Sequence, residues 1–248
     1  MIRALLIVLA VLGCGLLRLP VEHALFQARA QEHLTALPAN LELREQVGQL
    51  GVVAALSGFR AVVADLLFIQ AHVAWERTEW SRVLLLFRQV TTLQPRGVLF
   101  WDMAAWHMAW NASAAAQEDP TQPRLALRRR AERAYWDLGR DFLERGIRNN
   151  PERPELYEAL ARLSRDKYRD HERAAEYFAL AAEKPGAHGY ARRFSAYELS
   201  YVPGREREAY ERLLALYEAG ERERLTTLIS RLKFLEEKLK IPPTERIP

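Results

Sequence analysis

Any chemistry in this chain would have to begin with its histidines and carboxylates. The histidines are His23, His33, His72, His107, His171 and His188. His72 and Glu76 lie four residues apart, so a helix would put both on one face, as two metal ligands require. Such a pair is more often a solvated helix contact, and no H-E-x-x-H arrangement accompanies it. No G-x-S-x-G elbow offers a nucleophile, and no glycine-rich loop is spaced to cradle phosphate. The one cysteine, Cys14, stands in apolar sequence, which excludes an intramolecular disulfide and a cysteine-based metal site. The sequence therefore names no catalytic residue, no cofactor and no metal, and the expectation is a non-enzymatic protein.

Two other groups stand out by type. Asp65 interrupts the apolar run Gly58 to Ile69, where only Arg60 and Asp65 are charged. A carboxylate buried there needs a partner. Arg60 is on another face, so the expected partner lies on another helix and fixes register, or Asp65 captures a ligand. Trp75, Trp80, Trp101, Trp106 and Trp110 crowd a short stretch. They fit core packing or a belt beside a membrane, or they line a pocket for a partner.

The elements that would position these residues are helices. Apolar residues recur at i, i+4, i+7 along most of the chain, and alternating runs are almost absent. The fold class is all-α. Hydrophobic residues make up 49% and charged residues 27% of the 248, enough to fill a core. The net charge of +4 hides 36 basic and 32 acidic residues, and the basic ones are mostly Arg. The densest basic run is Arg124, Arg128, Arg129, Arg130 and Arg133. Asp137, Asp141 and Glu144 follow it at once, which does not suit a nucleic-acid stripe.

Residues 4–17 are continuously apolar between Arg3 and Arg18. Fourteen residues make a helix of roughly 21 Å, short against a ~30 Å hydrocarbon core. With Met1, Ile2, Leu19 and snorkelling arginines it nearly spans. The leading reading is a single N-terminal membrane anchor over residues 1–19, with the bulk of the chain extracytoplasmic or periplasmic. Val11-Leu12-Gly13-Cys14 resembles a lipobox, which would make Cys14 a lipidation site. Ala28-Arg29-Ala30 offers a third reading, as a signal-peptidase site. A buried N-terminal helix is the fourth. Residues 20–57 then form a stalk or cap.

Between Pro151 and Pro185, 34 residues apart, Tyr157, Leu160 and Ala161 occupy one helical face. Ala174, Phe178 and Ala181 occupy the next, with one residue inserted in the turn. This stretch resembles a tetratricopeptide repeat, and so, less clearly, do two stretches before it. In the first, Leu67, Gln70, Ala71 and Ala74 precede Val83, Phe87, Val90 and Pro95. In the second, Trp101, Ala104, Ala105 and Met108 precede a displaced second helix with Gly139, Leu143 and Gly146. The displacement reflects about 22 extra residues near Asn111 to Leu138. Asp119 to Pro123 marks a loop there, and Leu125 to Asn149 reads as one long helix. Ala191 to Tyr201 and Arg205 to Tyr217 form a degenerate fourth pair. Leu225 to Leu239 reads as a polar-backed cap.

The resemblance implies an α-solenoid of antiparallel helix pairs over residues 58–219, capped by residues 220–248. It also implies a partner groove lined by first helices. By position, that groove would take Asp65, Phe68, His72 and Trp75, then Asp102, Trp106 and Trp110, then Glu158, Arg162 and Arg165. An extended peptide or a partner helix suits such a groove. The implied work is a scaffold or adaptor in an envelope-associated assembly, binding protein partners. The same architecture also suits a lipidated assembly factor. A binder of glycan or lipid would need Trp101, Trp106 and Trp110 to converge on one cleft.

Overall fold

Small residues at helical spacing set this architecture. A computed structural model describes residues 58–248, and every regular element among them is helical, with no strand. The chain divides into two compact units, Met1–Ala104 and Ala105–Pro248. The expected anchor, the Cys14 reading and the stalk fall outside the described residues. Among those described, no helix is long and apolar enough to cross a membrane.

In the first unit, α1 (Arg60–Glu76) and α2 (Trp80–Leu93) pack as an antiparallel pair. Ala64, Leu67, Ala71 and Ala74 of α1 meet Val83, Leu86, Phe87 and Val90 of α2 along one buried seam. Alanines let the two backbones come close. Helix α3 (Val98–Trp106) follows and carries Trp101, only 1% exposed. Its indole Nε1–H donates to the carbonyl of Pro95 at 2.9 Å.

In the second unit a π-helical turn, His107–Ala112, leads directly into the short α4 (Ser113–Glu118). The long α5 (Leu125–Asn149) returns against both, as its sequence spacing predicts. Gly139 of α5 marks the closest approach. A Cβ there would lie 2.7 Å from the Ala109 Cβ and 3.0 Å from the Ala105 carbonyl oxygen. Helix α6 (Pro154–Leu163) opens on a proline at its first turn, where a missing N–H costs nothing. A second π turn, Ser164–Tyr168, follows, and Arg169 ends it at φ +58. A π turn holds one more residue than an α turn. Helix α7 (His171–Ala182) begins with the Asp170 side chain accepting from the Arg173 N–H.

Helices α8 (Tyr190–Leu199) and α9 (Glu206–Glu218) pair next, and α10 (Thr226–Lys238) closes the unit. Leu228, Leu232 and Leu235 of α10 are fully buried with Ala209 and Leu213. Glu236 is buried too, and its carboxylate accepts the backbone N–H of Ile247 at 2.8 Å, tying down the C-terminal tail.

Two expectations for α1 need correction. The apolar run Gly58 to Ile69 reads as a buried helix, yet Val62, Leu66, Ile69 and Val73 are exposed. Its alanine seam covers only one side. Asp65 lies beside that open stripe and is exposed, so no buried ion pair forms around it. Water solvates the carboxylate, which removes the need for a partner.

Candidate functional site

Helix α6 is buried along almost its whole length, from Leu156 to Ala161. The residues expected to line a groove run from Glu158 and Arg162 on α6 to Arg165 on the π turn that follows it. Helix α8 brings a matching edge of Tyr190, Phe194 and Glu198, spaced four apart so that all share one face. The two edges meet.

At one end, the buried Glu158 carboxylate accepts the Tyr190 hydroxyl on Oε2 and pairs with His188 Nδ1 on Oε1 at 2.9 Å. The His188 ring stacks on Tyr190, centroids 5.2 Å apart. Burial, then the hydrogen bond to Glu158, pushes the Tyr190 phenol up to about 12, while Arg162 pulls the other way. At the other end, Arg165 is held by Asp166 at 2.7 Å and reaches Glu198 Oε1 at 3.7 Å. Its guanidinium lies 5.9 Å over the Phe194 ring. Hydrogen bonding to Asp166 is the main reason its pKa is raised. Glu198, also buried, pairs with His171 Nδ1 at 2.8 Å. His171 lies against Tyr201, which Arg231 covers at 4.0 Å. The result is a band of alternating acid, guanidinium and aromatic groups, each held by its neighbours.

The other expected groove residues have their own surroundings. Phe68 makes edge contacts with Phe87 at 5.9 Å and Phe100 at 5.4 Å, so it belongs to aromatic packing. His72 and Glu76 approach to 3.7 Å, both exposed, and His72 lies 5.0 Å from the Trp75 ring. Asp102 is half-buried on α3. No group of three potential metal ligands occurs among the described residues. Trp106 and Trp110 stack at 4.9 Å, with the Lys167 ammonium 5.6 Å over Trp110. Burial lowers the Lys167 pKa. Trp101 is a core residue with almost no exposure. Asn111, on the same π turn, bonds His107 at 3.1 Å.

A separate cleft is lined by Arg140, Leu160, Ser164, Tyr168, Asp170, Arg173 and Tyr177. Tyr168 donates to Asp137 at 2.8 Å, and burial first, then this bond, raises its pKa. Arg140 also pairs with Asp137, at 2.9 Å, so the cleft's charges are largely matched within the protein.

Sequence reasoning named Glu158, Arg162 and Arg165 but missed Tyr190, His188, Glu198 and His171. The four-residue spacing of Tyr190, Phe194 and Glu198 was the available signal. No protein-family model, curated protein or solved structure matches the chain.

Proposed function

We propose that this chain is a non-enzymatic, tetratricopeptide-like scaffold, held to a membrane by its N-terminal apolar stretch, that docks a segment of a protein partner. The observation that carries the reading is the band on α6 and α8. Its charged groups are fixed before any partner arrives, so little side-chain entropy is lost on docking. Arg165, lying over Phe194, gives its Nε and Nη2 donors to the Asp166 carboxylate and turns Nη1 toward Glu198, so it contributes a fixed guanidinium to the band.

Internal repetition supports the architecture. The Tyr157 hydroxyl donates to the Pro151 carbonyl at 3.0 Å, as Trp101 does to Pro95. A π turn begins about two helical turns beyond each of these aromatics. Anchoring through Cys14 as a lipoprotein would leave the same band in use. The Trp106–Trp110 stack favours a second reading, a lipid or glycan ring lying on the exposed face of Trp106.

The test is affinity capture from detergent-solubilised membranes with wild type and an Arg162→Glu, Arg165→Glu variant of equal helicity by circular dichroism. A protein partner retained by wild type and lost, about tenfold or more, by the variant is expected, since two reversed charges each place like charges together. A partner indifferent to the change would refute the band. Loss with Trp106→Ala instead would move the site to the tryptophan stack.

A further inference from the structure

The first half of α5 stands clear of the core. From Arg124 to Leu138 no residue is buried, and Gly139 is the first that is. Leu125 and Leu127 are 48% and 41% exposed. Arg124, Arg129, Arg130 and Arg133 are exposed as well, and none of them makes an ion pair among the described residues. The acids that follow are committed elsewhere. Asp137 is held by Arg140 at 2.9 Å and by the Tyr168 hydroxyl at 2.8 Å, Asp141 by Arg145 at 3.6 Å, and Glu144 by Arg140 at 3.9 Å. Glu132 is half-buried and its charge acts on Lys167. Arg128 is half-buried too, and its charge acts on Asp119. The alternation of base and acid along the sequence therefore does not neutralise this surface.

Leu127, Ala131, Ala134 and Leu138 recur at i, i+4, i+7 and i+11, one apolar stripe along the helix. It lies about a quarter turn round from the buried seam of Gly139, Phe142, Leu143 and Gly146. By helix geometry, Arg130 and then Arg133 border the stripe on one side and Arg124 borders it on the other, while Arg129 points nearly opposite. An apolar strip edged by bases is the pattern of a helix lying in the headgroup layer of a bilayer. The strip holds only two leucines, so apolar burial alone is weak and anionic headgroups must supply the rest. A nucleic-acid backbone would use the arginines but leave the leucines in water.

We propose that the first half of α5 docks on the surface of an anionic lipid bilayer, with its Leu127 to Leu138 stripe against the acyl boundary and Arg124, Arg130 and Arg133 on the lipid phosphates. Guanidinium groups match phosphate geometry, and their stems let the charges reach the headgroups while the stripe goes deeper. Arg129 stands across a helix roughly 10 Å thick, about one screening length farther from the lipid, and contributes little. This inference depends neither on the partner reading above nor on the N-terminal anchor.

The test uses the full chain with Cys14→Ser and Ala131→Cys, carrying an environment-sensitive dye at position 131, mixed with lipid vesicles. One set is phosphatidylcholine alone, and the other adds phosphatidylserine in steps. Any insertion of the apolar residues 4–17 is common to both sets, so the dye reads α5 itself. A blue shift of the dye is expected only with phosphatidylserine, and it should fade as sodium chloride rises to about 1 M. At the phosphatidylserine content where half of the dye is shifted, changing Arg124, Arg130 and Arg133 to Gln should leave almost no shift. Docking then weakens about a hundredfold, about fivefold for each arginine. The same three changed to Lys should keep most of it, which separates lost charge from lost fold. Arg130→Gln alone should weaken docking about fivefold, and Arg129→Gln by less than about twofold. Equal shifts in both lipids, or none in either, would overturn the proposal. So would equal losses from Arg129→Gln and Arg130→Gln, because charge on any face would then serve. A shift with duplex DNA or polyglutamate but with neither lipid would also overturn it, and would give the face to that polymer.

Discussion

Tyr190 reports on the band through a single proton. Its phenol is pushed up to about 12, by burial first and by the bond to Glu158 second. An unfolded tyrosine titrates near 10. The neutral phenol is therefore favoured by folding. Its stabilising contribution is complete below pH 10 and is lost as pH rises through the folded value. We expect the ultraviolet titration difference between wild type and Tyr190→Phe to place this phenol about two units above a free tyrosine, as those two values imply. Glu158→Gln should move it part of the way down, since burial remains. An unmoved phenol would mean that Glu158 does not hold it. The sequence made Glu158 visible as a polar position on an apolar helix. It could not pair Glu158 with Tyr190 or His188, because both lie about thirty residues on, and a long-range pairing leaves no periodic trace.

Among the helices, most of what the sequence predicted is present. Helix α5 matches its periodic run from Leu125 to Asn149, and Asp119 to Pro123 forms the expected break. Long amphipathic stretches announce themselves by spacing, because one face must be apolar to be buried. The π turns were not legible, since an inserted residue changes register without changing residue type. The exposed stripe of α1 was misread for a related reason. A helix rich in aliphatics on several faces looks buried from composition, whereas burial depends on what covers each face. Gly139 gives a sharp test of the α5 packing. At an exposed helix site, Gly→Ala gains about 1 kcal/mol. Here the added Cβ would meet the Ala109 Cβ at 2.7 Å and the Ala105 carbonyl oxygen at 3.0 Å. Backbone oxygen does not yield as a flexible side chain does, so we expect Gly139→Ala to destabilise by about 1–3 kcal/mol in urea denaturation. A stabilised protein would mean that α5 does not approach the π turn so closely.

Across the whole molecule, two kinds of force compete for credit, and magnitude separates them. Ion pairs are numerous. Arg205 bridges Glu172 at 2.9 Å, Lys238 bridges Glu206 at 2.7 Å, and Arg193 bridges Glu223 at 2.6 Å, each linking different elements. Most such pairs are substantially exposed, and an exposed pair contributes about 0–1 kcal/mol. The buried seams are built from Leu143, Leu160, Leu213, Phe178 and alanines with almost no exposure. Removing one such leucine side chain costs about 2–5 kcal/mol. The composition, with nearly balanced acid and base, already pointed to a surface of paired charges. It could not say which pairs cross between helices, because those partners meet only after folding. Raising sodium chloride from 0.1 to 1 M shortens the screening length from about 10 to about 3 Å and weakens exposed pairs together. We expect each exposed pair to lose no more than about 1 kcal/mol across that range, and the unfolding free energy in urea to shift by less than the about 2–5 kcal/mol that Leu143→Ala alone costs. A salt effect larger than the leucine effect would transfer the credit to the ion pairs. The band on α6 and α8 would then owe its rigidity to charge pairing, and partner capture would have to weaken in the same salt range.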